Sequence, residues 1–144
     1  MSTLTPPPLY HPIVDKNGVV TSPWIVYFGG LSSGDQGAKW TPSFQNLTAV
    51  GGTPTFSGLY YKIGSLLTYF TAIVTPVTNT SATAGTTYIN NFPAIISADG
   101  ACDAVYGSVG LGNGIVQASS SRVYPPSWTT IAVPVTICGF IQSS

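Results

Sequence analysis

The side chains able to do chemistry in this chain are few and widely spaced. They are Asp15, Asp35, Asp99, Asp103, Lys16, Lys39, Lys62, Arg122, His11, Cys102 and Cys138, with no glutamate at all. A hydroxyl or thiol nucleophile needs a base within reach, and the one histidine, His11, sits between Tyr10 and Pro12 in a Pro-rich stretch. Such a histidine reads as a solvated or packing residue. Cys102 is followed by Asp103, and a neighbouring carboxylate raises a thiol's pKa, the wrong direction for a nucleophile. Asp99 and Asp103 flank Gly100, yet a calcium site wants more oxygen ligands at defined spacing. Turn capping is the expected role for them and for Asp15 and Asp35. Without a C-x-x-C pair, and with a single imidazole, a zinc site is not expected. The glycines at 107, 110, 112 and 114 precede no Lys-Ser/Thr and open no helix, so they read as a tight hairpin rather than a phosphate cradle. No catalytic residue, metal or cofactor is expected, and the chain reads as a non-enzyme.

Binding has better material. Eight tyrosines and three tryptophans supply rings with polar tips, which suit subunit interfaces and sugar stacking alike. Two local clusters stand out: Tyr60 and Tyr61 beside Lys62, and Tyr124 with Trp128 beyond Pro125-Pro126. Alternation along a strand puts Tyr60 and Tyr61 on opposite faces, so at most one faces a core. Cross-strand packing is the commoner role of such aromatics; contact with a neighbouring subunit or a host surface glycan is the functional one.

Charge sets the class of partner. Charged residues make up 6% of the chain, where an ordinary domain carries about 25%, and the formal net charge is zero. Four scattered cations make no basic stripe for nucleic acid. No apolar run reaches the length of about 18 residues that marks a membrane-spanning helix, and the N-terminal residues lack the pattern of a signal peptide. Synthesis and assembly in the cytoplasm follow as the expectation. There both cysteines should be buried thiols, with a bond between them left open. Neutral surface with little charge tends to associate, so a homo-oligomer, a trimer, is expected.

The elements that would position these groups are strands. Residues 1–23 form a Pro-rich segment in which Pro6, Pro7 and Pro8 favour an extended polyproline conformation. With Tyr10 they read as an attachment arm, ending in a turn-like Asp15-Lys16-Asn17-Gly18. From Trp24 on, short apolar, β-branched and aromatic runs alternate with Gly, Pro, Asn and Ser clusters. Strands are expected at 24–28, 43–49, 56–62, 65–75, 86–92, 103–109, 114–119 and 131–141. Over 131–141, Ile131, Val133, Val135 and Ile137 alternate with small or polar residues, and Pro134 marks an edge or bulge. Over 65–75, Leu66, Phe70 and Val74 face one way and Leu67, Tyr69 and Ile73 the other. A strand apolar on both faces must be covered on both, which again favours assembly. The expected fold is all-β, a jelly-roll-like β-sandwich over 24–144 carrying the extended arm 1–23.

Trp40-Thr41-Pro42, Leu47-Thr48 and Phe56-Ser57-Gly58-Leu59-Tyr60-Tyr61-Lys62-Ile63-Gly64-Ser65-Leu66-Leu67 together resemble a "W-x-P … G-x-Y-x-K-x-G-x-L" pattern of tail-fibre and receptor-binding modules in tailed phages. Pro12 to Gly18 followed by Trp24, the Thr86–Pro93 stretch and the terminal Gly139-Phe140 are similar to other parts of such proteins, so the resemblance spans roughly residues 12–140. Cys138 departs from it, as do the Pro-rich first residues. It implies a β-sandwich-like virion component, often trimeric, sometimes glycan-binding, with no catalytic residue to carry over. The function expected is thus that of a tail-associated fibre or adhesin-like protein that contacts other virion proteins. A capsid decoration protein and a glycan-binding host-recognition module are the alternatives.

Overall fold

A computed structural model describes residues 7, 8, 10–24 and 37–143. The chain divides into two units, Met1–Gln36 and Gly37–Ser144.

In the first unit, local hydrogen bonding builds a small hairpin. The Asp15 carboxylate accepts from the amides of Asn17 at 2.7 Å and Val19 at 3.1 Å, the side-chain turn expected of an aspartate before Asn-Gly. Val14 and Val20 form an antiparallel bridge, and Thr21 donates its amide to Ile13 and its hydroxyl to Pro12. The Trp24 indole donates to the His11 carbonyl at 2.9 Å. Residues 12–21 are therefore folded rather than extended. Ser22–Trp24 is a helical turn where a strand start was expected: Pro23 has no amide for a ladder. Residues 25–28 of that expected strand, and Asp35 as a turn cap, lie outside the described residues.

The second unit is all-β. Its strands are β1 (Ala38–Trp40), β2 (Phe44–Gln45), β3 (Thr48–Val50), β4 (Thr55–Ile63), β5 (Leu67–Thr75), β6 (Asn79–Ala82), β7 (Tyr88–Ile89), β8 (Gly100–Tyr106), β9 (Val109–Gln117), β10 (Arg122–Tyr124), β11 (Trp128–Ile131) and β12 (Val135–Gln142). Nine form one antiparallel sheet in the order β1-β4-β5-β12-β8-β9-β10-β7-β2, and β11-β6-β3 form a second. This is the β-sandwich class expected.

The large sheet curls. Its two edge strands, β1 and β2, are consecutive in the chain, and residues 41–43 alone join them. Four steps of chain reach about 14 Å at most, so the sheet must bring its edges together. Phe44 on β2 stacks on Phe56 of β4 across this closure, centroids 5.3 Å apart. The link is pinned by Asn91, whose side chain accepts from the Ser43 amide and donates to the Thr41 carbonyl.

Inside the curl lies the core: Phe70, Val74, Ile89, Val116, Val123, Val135, Ile137 and Ile141 are all essentially inaccessible. Each such side chain contributes about 1.5–3 kcal/mol on burial. Trp128 and Ile131 from the small sheet complete the same cluster. Buried hydroxyls are paired, as burial of polar groups demands: Thr68 with Ser143, Thr80 with the Trp128 indole, Thr87 with the Asn46 carbonyl.

Three expected strands are divided by the structure: 43–49 falls to β2 in the large sheet and β3 in the small one, and 103–109 and 131–141 are also broken. The 131–141 run splits at Ala132–Pro134, with Ile131 in the small sheet and Val135 onward in the large one. Pro134 cannot donate to a ladder, so the chain changes sheets there. The Gly-rich stretch makes its hairpin at Gly107-Ser108 alone. Gly107 has φ 54°, the sign that the first central position of a two-residue hairpin turn requires. The remaining glycines lie within β9, which bulges at Leu111: Ala104 pairs with Gly112 and Val105 with Gly110.

Candidate functional site: a neutral aromatic face

The strand period of two that buries Phe70, Ala72 and Val74 sends Tyr69, Thr71 and Ile73 to the outer face of the large sheet. Register then assembles rows across strands. Tyr61 on β4 pairs with Tyr69 on β5, and Tyr69 with Phe140 on β12. Their ring centroids are 6.2 Å and 5.0 Å apart, within the range of favourable aromatic pairs. One row down run Leu59, Thr71, Cys138, Asp103 and Asn113, each opposite the next. Ile63 pairs with Leu67 above the aromatic row, and Ile115 faces outward on β9 beside Ala101.

Phe140 is 54% exposed and Ile115 59%. Across these five strands the outer-facing positions carry one ionisable carboxylate, Asp103, which accepts a hydrogen bond from the Asn113 side chain. Asp103 thus serves a cross-strand pair rather than a turn, because it sits in mid-strand opposite Asn113. Asp99 accepts from the Ala118 amide at 2.8 Å, a bond to a residue nineteen positions away rather than the local turn cap expected of it.

Beside the aromatic row is a recess of about 450 Å³ lined by Lys39, Trp40, Ser57, Leu59, Thr71 and Ile73 among others. Gly58 lets the Trp40 indole lie against the β4 backbone on the core side of the sheet. A β-carbon at Gly58 would collide with Trp40 Nε1 and the Thr71 carbonyl. Trp40 Nε1 is the buried side-chain donor without a partner among the described residues.

The two cysteines occupy opposite faces of neighbouring strands, Cys138 opposite Asp103 and Cys102 opposite Gly139, and both are free thiols. Cys102 is buried, its pKa pushed up to about 12, first by desolvation and only secondarily by Asp103. Cys138 is half-buried on the outer face, contrary to the expectation of two buried thiols, because its row carries only small partners, Thr71 and Asp103. It sits beside Tyr69, whose hydroxyl is held above its ordinary pKa by burial and then by the thiol.

The aromatic residues singled out in the sequence fall in different places. Tyr60 packs against the core while Tyr61 belongs to the outer row. Tyr124 is half-buried, its ring 5.6 Å from Tyr88, and Arg122 lies over Tyr88 at 4.1 Å while donating to the Tyr124 hydroxyl. That hydrogen bond lowers the Tyr124 pKa. Trp128 is only 4% exposed, with its indole bonded to Thr80, so it offers no face to a sugar and forms no joint surface site with Tyr124. In the arm, Tyr10 is fully exposed, Pro7 is exposed and Pro8 half-buried; Pro6 lies outside the described residues.

The sequence clusters missed Tyr69, Phe140 and Ile115. Tyr69 carried a signal, the doubly apolar 65–75 run, but its partners come from distant strands. Among the described residues no three His, Cys, Asp or Glu side chains group as a metal site, and no helix is long and apolar enough to cross a membrane.

No known protein family, curated protein or solved structure matches the chain.

Neutral rings, β-branched groups and one hydrogen-bonded carboxylate offer dispersion and desolvation without the charge repulsion or ion desolvation that would oppose contact.

Proposed function

We propose that this chain is a non-enzymatic structural component of a tailed-phage particle, a tail-associated protein that self-associates. The observation that carries the reading is the outer face of the large sheet, aromatic, nearly uncharged and open to solvent. Patches of this kind on a folded domain mark interaction sites. The residues that resemble the phage pattern support a structural part for it. Trp40 ends the edge strand β1, Phe56 to Ile63 make up all but the first residue of β4, and Gly64 to Leu66 turn the chain into β5. The motif thus builds the hairpin that displays Tyr61 and Tyr69.

A sugar-binding role in host recognition is the second reading. It is favoured by the partly exposed Tyr88–Arg122–Tyr124 cluster, in which a cation and two rings lie together. Tail and capsid locations differ only in the neighbour that is met.

Purified phage particles labelled with an antibody to this chain, followed by a particle reconstruction, test the proposal. Density for the domain on the tail is the expected result. Density on the shell moves the protein to capsid decoration, and absence from particles refutes a virion role. A glycan array with wild-type protein and Tyr124→Ala tests the second reading, for which loss of a wild-type signal in the variant is required.

A further inference from the structure

We infer that Asn17-Gly18, at the tip of the hairpin in the first unit, is a modification site at which the native chain deamidates, while its second Asn-Gly step, Asn113-Gly114, is held unreactive by the large sheet.

The chemistry needs only water. The Gly18 amide nitrogen gives up its proton to solvent base and attacks the carbonyl carbon of the Asn17 side chain. A new C–N bond closes a cyclic succinimide, the C–N bond to the side-chain nitrogen breaks, and ammonia leaves with a proton taken from solvent. Water then opens the ring at either carbonyl, giving aspartate or isoaspartate. Water is consumed and ammonia released, with no oxidation or reduction. Glycine is the favourable following residue because it has no side chain to obstruct the ring.

The hairpin tip meets these demands. Asn17 and Gly18 are exposed, and a β-carbon on Gly18 would meet nothing within 4 Å. The Asn17 side chain has no hydrogen-bond partner among the described residues; the turn holds it by its backbone amide, which donates to the Asp15 carboxylate. The Gly18 amide donates to the Asp15 carbonyl at 3.0 Å. That bond must open before attack, and bonds of exposed turns open readily.

Asn113 is held on both sides. It lies in β9, and its side-chain nitrogen donates to the Asp103 carboxylate across the strand pair. Gly114 is buried opposite Cys102, and a β-carbon there would collide with the Tyr124 carbonyl and the Cys102 sulfur. With β8 and β10 flanking β9, the Asn113 side chain reaches the Gly114 nitrogen only if β9 leaves the sheet. Such opening is rare beside that of a turn.

Conversion undoes the hairpin. The Asp15 carboxylate accepts from Asn17 and Val19, and the Asp15 amide donates to the Val19 carbonyl. Isoaspartate routes the main chain through its β-carbon and lengthens this closed loop. Either product sets a second carboxylate two residues from Asp15, in a chain whose formal net charge is zero, and like charges at that range repel. The Val14–Val20 bridge and the Thr21–Ile13 bond depend on the same turn. The tip therefore acts as a slow, one-way switch from closed hairpin to open segment.

The test holds full-length wild type and Asn17→Gln at mildly alkaline pH, native and in urea, and follows the mass gain at each Asn-Gly step by peptide mapping. In the native chain Asn17 converts at least about tenfold faster than Asn113. In urea the two rates agree within about threefold, because the tertiary difference is gone. Asn17→Gln lacks the fast native site, since glutamine would have to close a larger ring. In the separated deamidated wild type, amide exchange at Val19 and Thr21 is at least about fivefold faster than in unreacted protein. A native Asn17 that stays unreacted, an Asn113 that keeps pace with it, or a fast site that persists in Asn17→Gln overturns the assignment. Unchanged exchange in the product overturns the switch.

Discussion

The buried Cys102 thiol makes stability depend on alkaline pH in a way that one substitution isolates. Folding raises its pKa from an ordinary 9.0 to about 12, chiefly by desolvation. A group whose folded pKa is raised contributes stability that is intact below the unfolded pKa and is lost as pH climbs toward the folded one. The unfolded chain therefore releases the proton from about pH 9 upward while the native state keeps it, and stability falls by about 1.4 kcal/mol per pH unit in that window. At pH 10.5 the accumulated loss is about 2 kcal/mol. Cys102→Ala removes this titration and leaves a small void beside Gly114 and the Tyr124 carbonyl, costing about 1 kcal/mol at pH 7. The wild type should then be the more stable at pH 7 and the variant the more stable at pH 10.5, with a crossing between pH 9 and 10. Urea titrations of both proteins under reducing conditions measure this directly. Every ionisable group other than Cys102 is common to the two proteins, so the difference between them isolates Cys102. A wild-type advantage that stays constant from pH 8 to 10.5 would refute the burial argument.

Gly58→Ala should destabilise by about 2–3 kcal/mol in thermal or urea unfolding, since one of the atoms its β-carbon meets is the Thr71 backbone carbonyl and cannot swing aside. Trp128→Phe removes the indole that bonds Thr80 inside the core and should cost about 2 kcal/mol; an unchanged urea midpoint would count against a paired, buried indole. Asp15→Ala strips two amides of their acceptor in the hairpin of the first unit. Hydrogen exchange at Asn17 and Val19 should accelerate roughly fivefold, the equivalent of about 1 kcal/mol.

How much of this was legible depends on the range of the interaction concerned. Asp15 read correctly as a turn because its partners lie two and four residues away. Tyr60 and Tyr61 separated onto two faces because a strand's period is two. The 131–141 run misled for the same reason: Ile131, Val133 and Val135 keep one alternation straight through a change of sheet. Only Pro134 hints at the break, and Val133 is 45% exposed. The 103–109 run joined Val105-Tyr106 to Val109 across a turn of two residues. β2 and β7, two residues each, have no periodicity to read. The aromatic row was out of reach altogether, since β12 enters between β5 and β8 and brings Phe140 to Tyr69 by tertiary register.

That insertion also bears on how copies of the chain can meet. A sheet can recruit a partner through an edge or through a face, and exposed edges are the commoner liability. Here the edges are short. β1 has three residues and β2 two, and the link through Thr41–Ser43, held by Asn91, draws them toward one another. The longest strands, β4, β5, β9 and β12, pair with other strands of the same sheet over most of their length. β12, the most apolar of them, lies in the middle with partners on both sides. Backbone pairing in the large sheet is thus largely satisfied within one copy, while the side chains of its outer face are not covered by any described residue to the same degree as those within. Closing the edges leaves the outer face, with Phe140 and Ile115 exposed, as the open surface of the large sheet. If the chain self-associates as proposed, Phe140→Lys should weaken that association in sedimentation velocity, whereas a lysine on β1 or β2 should not.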